Sequence, residues 1–272
     1  MNEKILKTKS NGFAALFSIL LLLILSVVGF ISSIALIRNE GLQVVCILLC
    51  ILVFIGSLML FGGLKVVKPQ EAIVLTLFGE YTGSIKEPGF YFVNPFSVSV
   101  NPAAKTKLGQ SGDVDRQSTP VTISTTGGVE ANLNALNKQI SLKIMTLNNS
   151  RQKINDCLGN PVEIGIAVTW RVVDTAKAVF NVDNYKEYLS LQCDSALRNI
   201  VRIYPYDVAP NVDTTGDGVA DEGSLRGSSE VVAKRIRDEI QARVENAGLE
   251  IIEARITYLA YAPEIAAVML QR

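Results

Sequence analysis

Residues 159–185 read GNPVEIGIAVTWRVVDTAKAVFNVDNY. Val162, Ile164, Ile166, Val168, Trp170 and Val172 alternate with Glu163, Gly165, Ala167, Thr169 and Arg171. A period of two marks a strand, because successive side chains of a pleated chain leave on opposite faces. One face is large and apolar and the other is small or charged, so one face meets a core. Trp170 reads as part of that core face. The period then changes. Asp174-Thr175 opens a short helix through Phe180, Asp being a residue that caps free amides at a helix start. Tyr185, Tyr188, Leu189, Ala196, Leu197, Ile200 and Val201 recur at helical spacing and predict a longer helix from about Asn184 to Val201.

Downstream, Val232, Ile236, Ile240 and Val244 form the stripe of an amphipathic helix from about Ser229 to Asn246, with Gly248 as its stop. A strand over Leu249–Tyr261 follows, where Tyr258 and Tyr261 read as packing residues. Pro263 opens a last helix that is still running at Arg272, so the natural protein is expected to continue. Upstream, Ile140 to Leu147 has strand character. Asn101 to Gln139 is polar and rich in Ser, Thr, Asn and Gly, and reads as an insertion. A hairpin at Gly127-Gly128 would set Val121 and Ile123 opposite Val129, Ala131 and Leu133. Glu71 to Phe78 is apolar on both faces and predicts a strand covered on both sides. Gly79 to Gly83 reads as a turn, Pro88-Gly89 as another, and Phe90–Val93 as an aromatic strand closed by Pro95.

Two segments nearer the N-terminus belong to another solvent. Ser10–Ile37 and Gly41–Leu64 carry no charged residue. A helix needs about 20 apolar residues to cross the hydrocarbon of a bilayer. Spans of about 13–37 and 42–64 therefore form an anchor within residues 1–65, and the short link at Arg38–Gly41 makes it a hairpin. A cleaved secretory signal is the competing reading. Its apolar region is shorter, about 7–15 residues, and is not followed directly by a second span. Lys4, Lys7 and Lys9 before the first helix and Lys65 and Lys68 after the second put both ends in the cytoplasm. A hairpin dipping into one leaflet would give the same sidedness. Gly29/Ser33 and Cys46/Cys50 are small pairs one turn apart, read as ordinary composition of membrane helices against close helix approach.

Composition excludes much chemistry. The chain has 272 residues, 26 basic and 26 acidic, and no histidine. Histidine-based triads and His-ligated zinc are therefore absent, and a neutral chain has no basic field for nucleic acid. Cys46, Cys50, Cys157 and Cys193 have neither zinc-ribbon nor disulfide-framework spacing. Gly62-Gly63 and Gly127-Gly128 lack phosphate-loop spacing. Asp213 to Asp221 places oxygens and Gly218 as a calcium loop would, but Ser224 stands where the bidentate Glu belongs, so a solvated loop is the plainer reading. Ser224, Ser228 and Ser229 lie near Lys234, but Ser229 more naturally caps the helix that follows. No catalytic, cofactor-binding or metal-binding residue is assigned, and no cofactor is called for. The charges at Lys234-Arg235, Arg237-Asp238-Glu239 and Arg243-Glu245 read as a solvated helix face or, more sharply, as a subunit interface where mixed signs set register.

Three blocks carry a resemblance. They are VVKPQEAIVLTLFGEYTGSIKEPGFYFVNPF at 66–96, the 159–185 block, and SLRGSSEVVAKRIRDEIQARVENAGLEIIEARITYLAYAPEIAAVMLQR at 224–272. In this order, behind a membrane anchor, they resemble the SPFH or band-7 family of stomatins, prohibitins, flotillins and bacterial relatives. The resemblance implies an α+β domain over 66–262, the start of a C-terminal helix over 263–272, and no enzymatic activity. It further implies a homo-oligomeric scaffold at membrane lipid. The alternative it implies is a regulatory partner of a membrane protease or transporter. The polar insertion at about 101–139 departs from the family pattern.

Overall fold

The computed structural model describes residues 2–6, 10–36, 39–106, 138–149, 151–207 and 223–269. The expected Gly127-Gly128 hairpin, most of the polar insertion and the Asp213–Asp221 loop lie outside these. The chain forms two compact units. One spans Lys4–Val100 with Lys138–Ile140; the other is built mainly from Ser141–Arg272.

The first unit opens with helices α1 (Gly12–Leu36) and α2 (Glu40–Leu60). Asn39 caps α2, its side chain accepting from Gly41 N. Nearly every large side chain of the pair is exposed, so these are not the core helices of a water-soluble unit. The buried residues of α1 include Ile19, Ser26 and Ser33, at steps of seven. The less exposed positions of α2 include Gln43, Cys46, Cys50, Val53, Ser57 and Leu60, at alternating steps of three and four. This is the repeat of two helices packed along a seam. Gly29 lies on it: a Cβ there would sit 3.1 Å from Cys50 Sγ. The small pairs thus belong to the helix contact and are more than average composition. Ser26, Ser33 and Ser57 donate to carbonyls of Leu23, Gly29 and Phe54 in their own helices, each at 2.7 Å, so no hydroxyl is left bare in an apolar setting.

A 3-10 turn at Phe61–Gly63 leads into β1 (Leu64–Val67), β2 (Glu71–Leu77), β3 (Glu80–Ile85), β4 (Gly89–Phe92) and β5 (Val98–Ser99). A short β6 (Ile140–Ser141) pairs with β2, which also joins β3 and β5, while β1 pairs with β4. β2 is buried along nearly its whole length, as its two apolar faces predict. Val67, Ile73, Leu75, Ile85 and Tyr91 form the core, with Leu6 and Val93 packed on it. The expected turn at Gly79–Gly83 is corrected. Leu77 pairs with Glu80, so the turn is Phe78-Gly79 alone, with φ of +50° and +92°. Two left-handed residues match the twist of a hairpin. The chain before α1 also joins this sheet: Leu6 N donates to Ser84 O and Ser84 N to Lys4 O.

The second unit holds β7 (Met145–Asn148), β8 (Gln152–Asn155), β9 (Pro161–Val172), α3 (Thr175–Phe180), α4 (Tyr185–Val201), α5 (Ser229–Val244), β10 (Leu249–Tyr261) and α6 (Pro263–Met269). β9 is the central strand, flanked by β10 on one side and by β7 and β8 on the other, all antiparallel. The run from Ile140 to Leu147 is therefore two strands in two sheets. Asp174 caps α3 by accepting from Lys177 N, and Asn184 caps α4. Val232, Ile236, Ile240 and Val244 of α5 are fully buried, as is Trp170, whose ring meets Tyr185 edge-on at 6.3 Å. Ser229 is the first residue of α5 and not its cap; Ser228 holds that position.

Gly248 fixes the corner between α5 and β10. Its φ is +67°, and a Cβ there would stand 2.3 Å from Asp174 O. Its carbonyl accepts from Val173 N and Asp174 N. Gly248→Ala is expected to cost well over about 1 kcal/mol, since alanine is strained at positive φ and has no room here. Thermal unfolding in detergent, followed by the fluorescence of Trp170, measures the loss.

Candidate functional site

In the first unit the two helices and the sheet meet at one strand, β4. A Cβ on Gly12 would lie 2.6 Å from the Phe90 ring, so only glycine lets α1 start this close. Phe13 packs edge-on against Phe90 at 5.2 Å. Asn11 Oδ1 accepts from Phe92 N at 3.4 Å. At the end of α2, a Cβ on Gly63 would meet Val93 O at 2.4 Å, and Val93 N donates to Gly63 O. The GFYFV run thus braces the start of α1 and the exit of α2. Beside it, Phe78 is 88% exposed and Phe96 is 54% exposed, their rings stacked at 6.3 Å. A bulky aromatic at positive φ is an uncommon choice, strained locally and here left largely exposed apart from that one stack.

In the second unit the sequence-predicted charges of α5 divide. Arg243 pairs with Glu239 at 2.6 Å and also donates to Ser195 Oγ, a half-buried brace between α5 and α4. Arg237 instead pairs with its neighbour Asp238 and lines an open groove of about 480 Å³ between α5 and β10. The Arg237–Glu239 stretch is therefore not one solvated face: one residue is committed internally and the other borders a groove.

Both helices are long and apolar enough to cross a membrane, and the residues after them build the mixed helix and sheet units described above. The family model of the SPFH domain / Band 7 family matches residues 65–272. The chain belongs to the SPFH/band-7 family. No curated protein matches it. The SPFH match begins at Lys65, two residues after the turn that ends α2, so the apolar helices lie outside the matched region. Members of the SPFH family are in general membrane scaffolds rather than enzymes.

The reactive side chains of this SPFH chain are held in local structure. Ser224 is 1% exposed and its Oγ accepts from Gly227 N at 2.8 Å, a turn bond rather than a nucleophile's setting. Ser229 and Lys234 line the groove. Among the described residues no cluster of His, Cys, Asp or Glu could hold a metal ion. Cys193 is buried in α4, and burial followed by the charge of Asp194 pushes its thiol up to about 12. Cys157 is exposed, yet partial burial and the neighbouring Asp156 also raise it. Sequence reasoning missed three features: the Lys4–Leu6 pairing, the exposed Phe78–Phe96 stack and the groove along β10. Only Phe78-Gly79 carried a signal, as a bulky residue before a turn glycine. At pH 8, iodoacetamide is expected to modify Cys157 slowly and to leave Cys193 untouched until denaturant is added; tryptic mass mapping distinguishes the two.

Proposed function

We propose that the protein is a membrane-anchored scaffold whose product is its own assembly, organising lipid and neighbouring proteins. The residues 1–65 anchor is a two-span hairpin, and the SPFH domain over about 66–262 stands on the cytoplasmic side. One observation carries this reading: β4 braces both the start of α1 and the end of α2, and the chain just before α1 is paired into the sheet that follows α2. A sheet tied to both open ends of a hairpin stays at the bilayer surface. Lys4, Lys65 and Lys68 on that side favour the cytoplasmic face. Phe78 and Phe96 lie on the unit that carries the two helices, and apolar Phe rings exposed beside a membrane bury at the boundary between headgroups and acyl chains.

Two measurements test the reading. The mass of the detergent-solubilised protein should show a discrete homo-oligomer; a monomer at every concentration rejects self-assembly. A membrane protein co-purifying in fixed ratio would move the function to regulating that partner, as a protease or transporter. For surface lodging, Phe78→Trp adds a fluorophore to a chain whose one native tryptophan is buried. In vesicles containing brominated lipid, emission from the introduced tryptophan is expected to be quenched and Trp170 emission spared. Equal emission with and without bromine would place Phe78 in water.

A further inference from the structure

β10 is an edge strand: among the described residues it pairs with β9 alone. At its start that free edge is closed from within. The side chain of Gln241 donates to Leu249 O at 3.2 Å and accepts from Ile251 N at 2.7 Å. From Ile252 onward it opens. The 480 Å³ groove is lined on the strand side by Ile252, Glu253, Ala254, Arg255 and Ile256, five consecutive residues. Consecutive residues of a strand point to alternate faces, so what borders the groove is the strand's edge and not a face. A smaller hollow of about 220 Å³ continues along Ile256–Leu259. Long unprotected edges invite another strand, and natural proteins commonly blunt them with charge.

The charges on this edge are self-complementary. Glu253 and Arg255 flank Ala254, are 47% and 75% exposed at their side chains, and pair with each other at 2.6 Å. Laid antiparallel on a copy of itself about Ala254, the strand sets Glu253 opposite Arg255 of the copy and Arg255 opposite Glu253. It also sets Ile252 opposite Ile256 in both directions. A bulge between Ile251 and Glu253 leaves the apolar side chain of Ile252 41% exposed. Directly opposite charges and apolar pairs are the units that stabilise a strand pairing. β10 already uses this device on its paired side, where Glu250 lies opposite Arg171 in register and the two form an ion pair at 2.5 Å. The pairing stops where Gln241 closes the edge, since Ile252–Ile256 against its copy uses no residue before Ile252. The groove wall on α5 carries both signs, Glu230 beside Lys234 and Arg237, so no single-signed ligand is favoured.

We infer that the β10 edge docks a second copy of this chain, Ile252–Ile256 pairing antiparallel with the same segment about a two-fold axis at Ala254. This rests on the self-assembly reading and deepens it by naming the contact. Such an isologous contact closes on itself and accounts for a dimer; a larger assembly needs a further surface.

Charge exchange in the full-length protein tests it. Glu253→Arg or Arg255→Glu each turns two attractive cross-strand pairs into two repulsive ones, expected to weaken dimerisation about tenfold. The double exchange restores both pairs and is expected to return dimerisation to the wild-type level, which also shows that these exposed positions tolerate the change. Native mass spectrometry over a concentration series reads the dimer. As a second probe, Ile252→Cys with Ile256→Cys should give a disulfide-linked 252–256 peptide between chains, which neither single variant gives. An oligomer indifferent to all three charge variants overturns this contact and leaves self-assembly standing. Single variants that weaken the dimer without rescue by the double exchange overturn the register. A wild-type monomer at every concentration overturns both readings.

Discussion

The apolar surface of α1 and α2 is the constraint on which the rest of the first unit depends. Leu, Ile, Val and Phe side chains along both helices are largely exposed to whatever surrounds them. Water would penalise such a surface at about 25 cal/mol per Å². A bilayer removes the penalty, and it then imposes a second rule, that every polar group at that depth be satisfied inside the protein. The three buried serines obey it through bonds to their own helices. Since lipid offers the two helices no hydrophobic reason to associate, their contact falls to close packing, which explains small residues such as Gly29 and Cys50 on the seam.

The same constraint shapes the sheet that follows. Two helices joined by a short link and packed on each other bring the segments at their free ends together. The GFYFV run is where they meet, with glycines at Gly12 and Gly63 because no Cβ fits beside Phe90 or Val93 O. The residues Lys4–Leu6 then lie near β3 and pair with it. Three residues are too few to announce a strand in sequence, and their partner Ser84 is distant along the chain. That pairing is a product of the hairpin and could not be read without it.

What was legible followed from periodicity. β9, α4 and α5 each sustain one hydrophobic repeat over 12 residues or more, and each lies where its repeat predicts. The failures share one cause, a local pattern overruled by non-local pairing. β8 shows a single buried apolar residue, Ile154, and owes its strand form to β9. Ile140–Leu147 reads as one strand because Ile140, Leu142, Ile144, Met145 and Leu147 recur along it, yet it serves two sheets. Phe78 occupies a left-handed position that propensity would reserve for Gly or Asn. For the candidate site, composition could exclude chemistry, since an absent histidine is absent in any fold. It could not locate a surface, because an edge is defined by which strand fails to find a partner.

The charges of the second unit show why surfaces resist reading from sequence. Glu239 and Glu253 are both glutamates with an arginine close by, at spacings of four and two. Glu239 sits at helical spacing from Arg243, and the pair is half-buried because Ser195 of α4 closes over it. Its bond is part of the fold, and breaking it would strand a partly desolvated arginine. Glu253 and Arg255 face the same way on a strand, with side chains 47% and 75% exposed. Exposed pairs of this kind contribute little on their own, typically under about 1 kcal/mol. Arrangement about a central Ala254, with an exposed isoleucine one step beyond, gives the pair a use that an isolated surface ion pair lacks: the same short segment presents donor and acceptor charge in the order its own reverse requires.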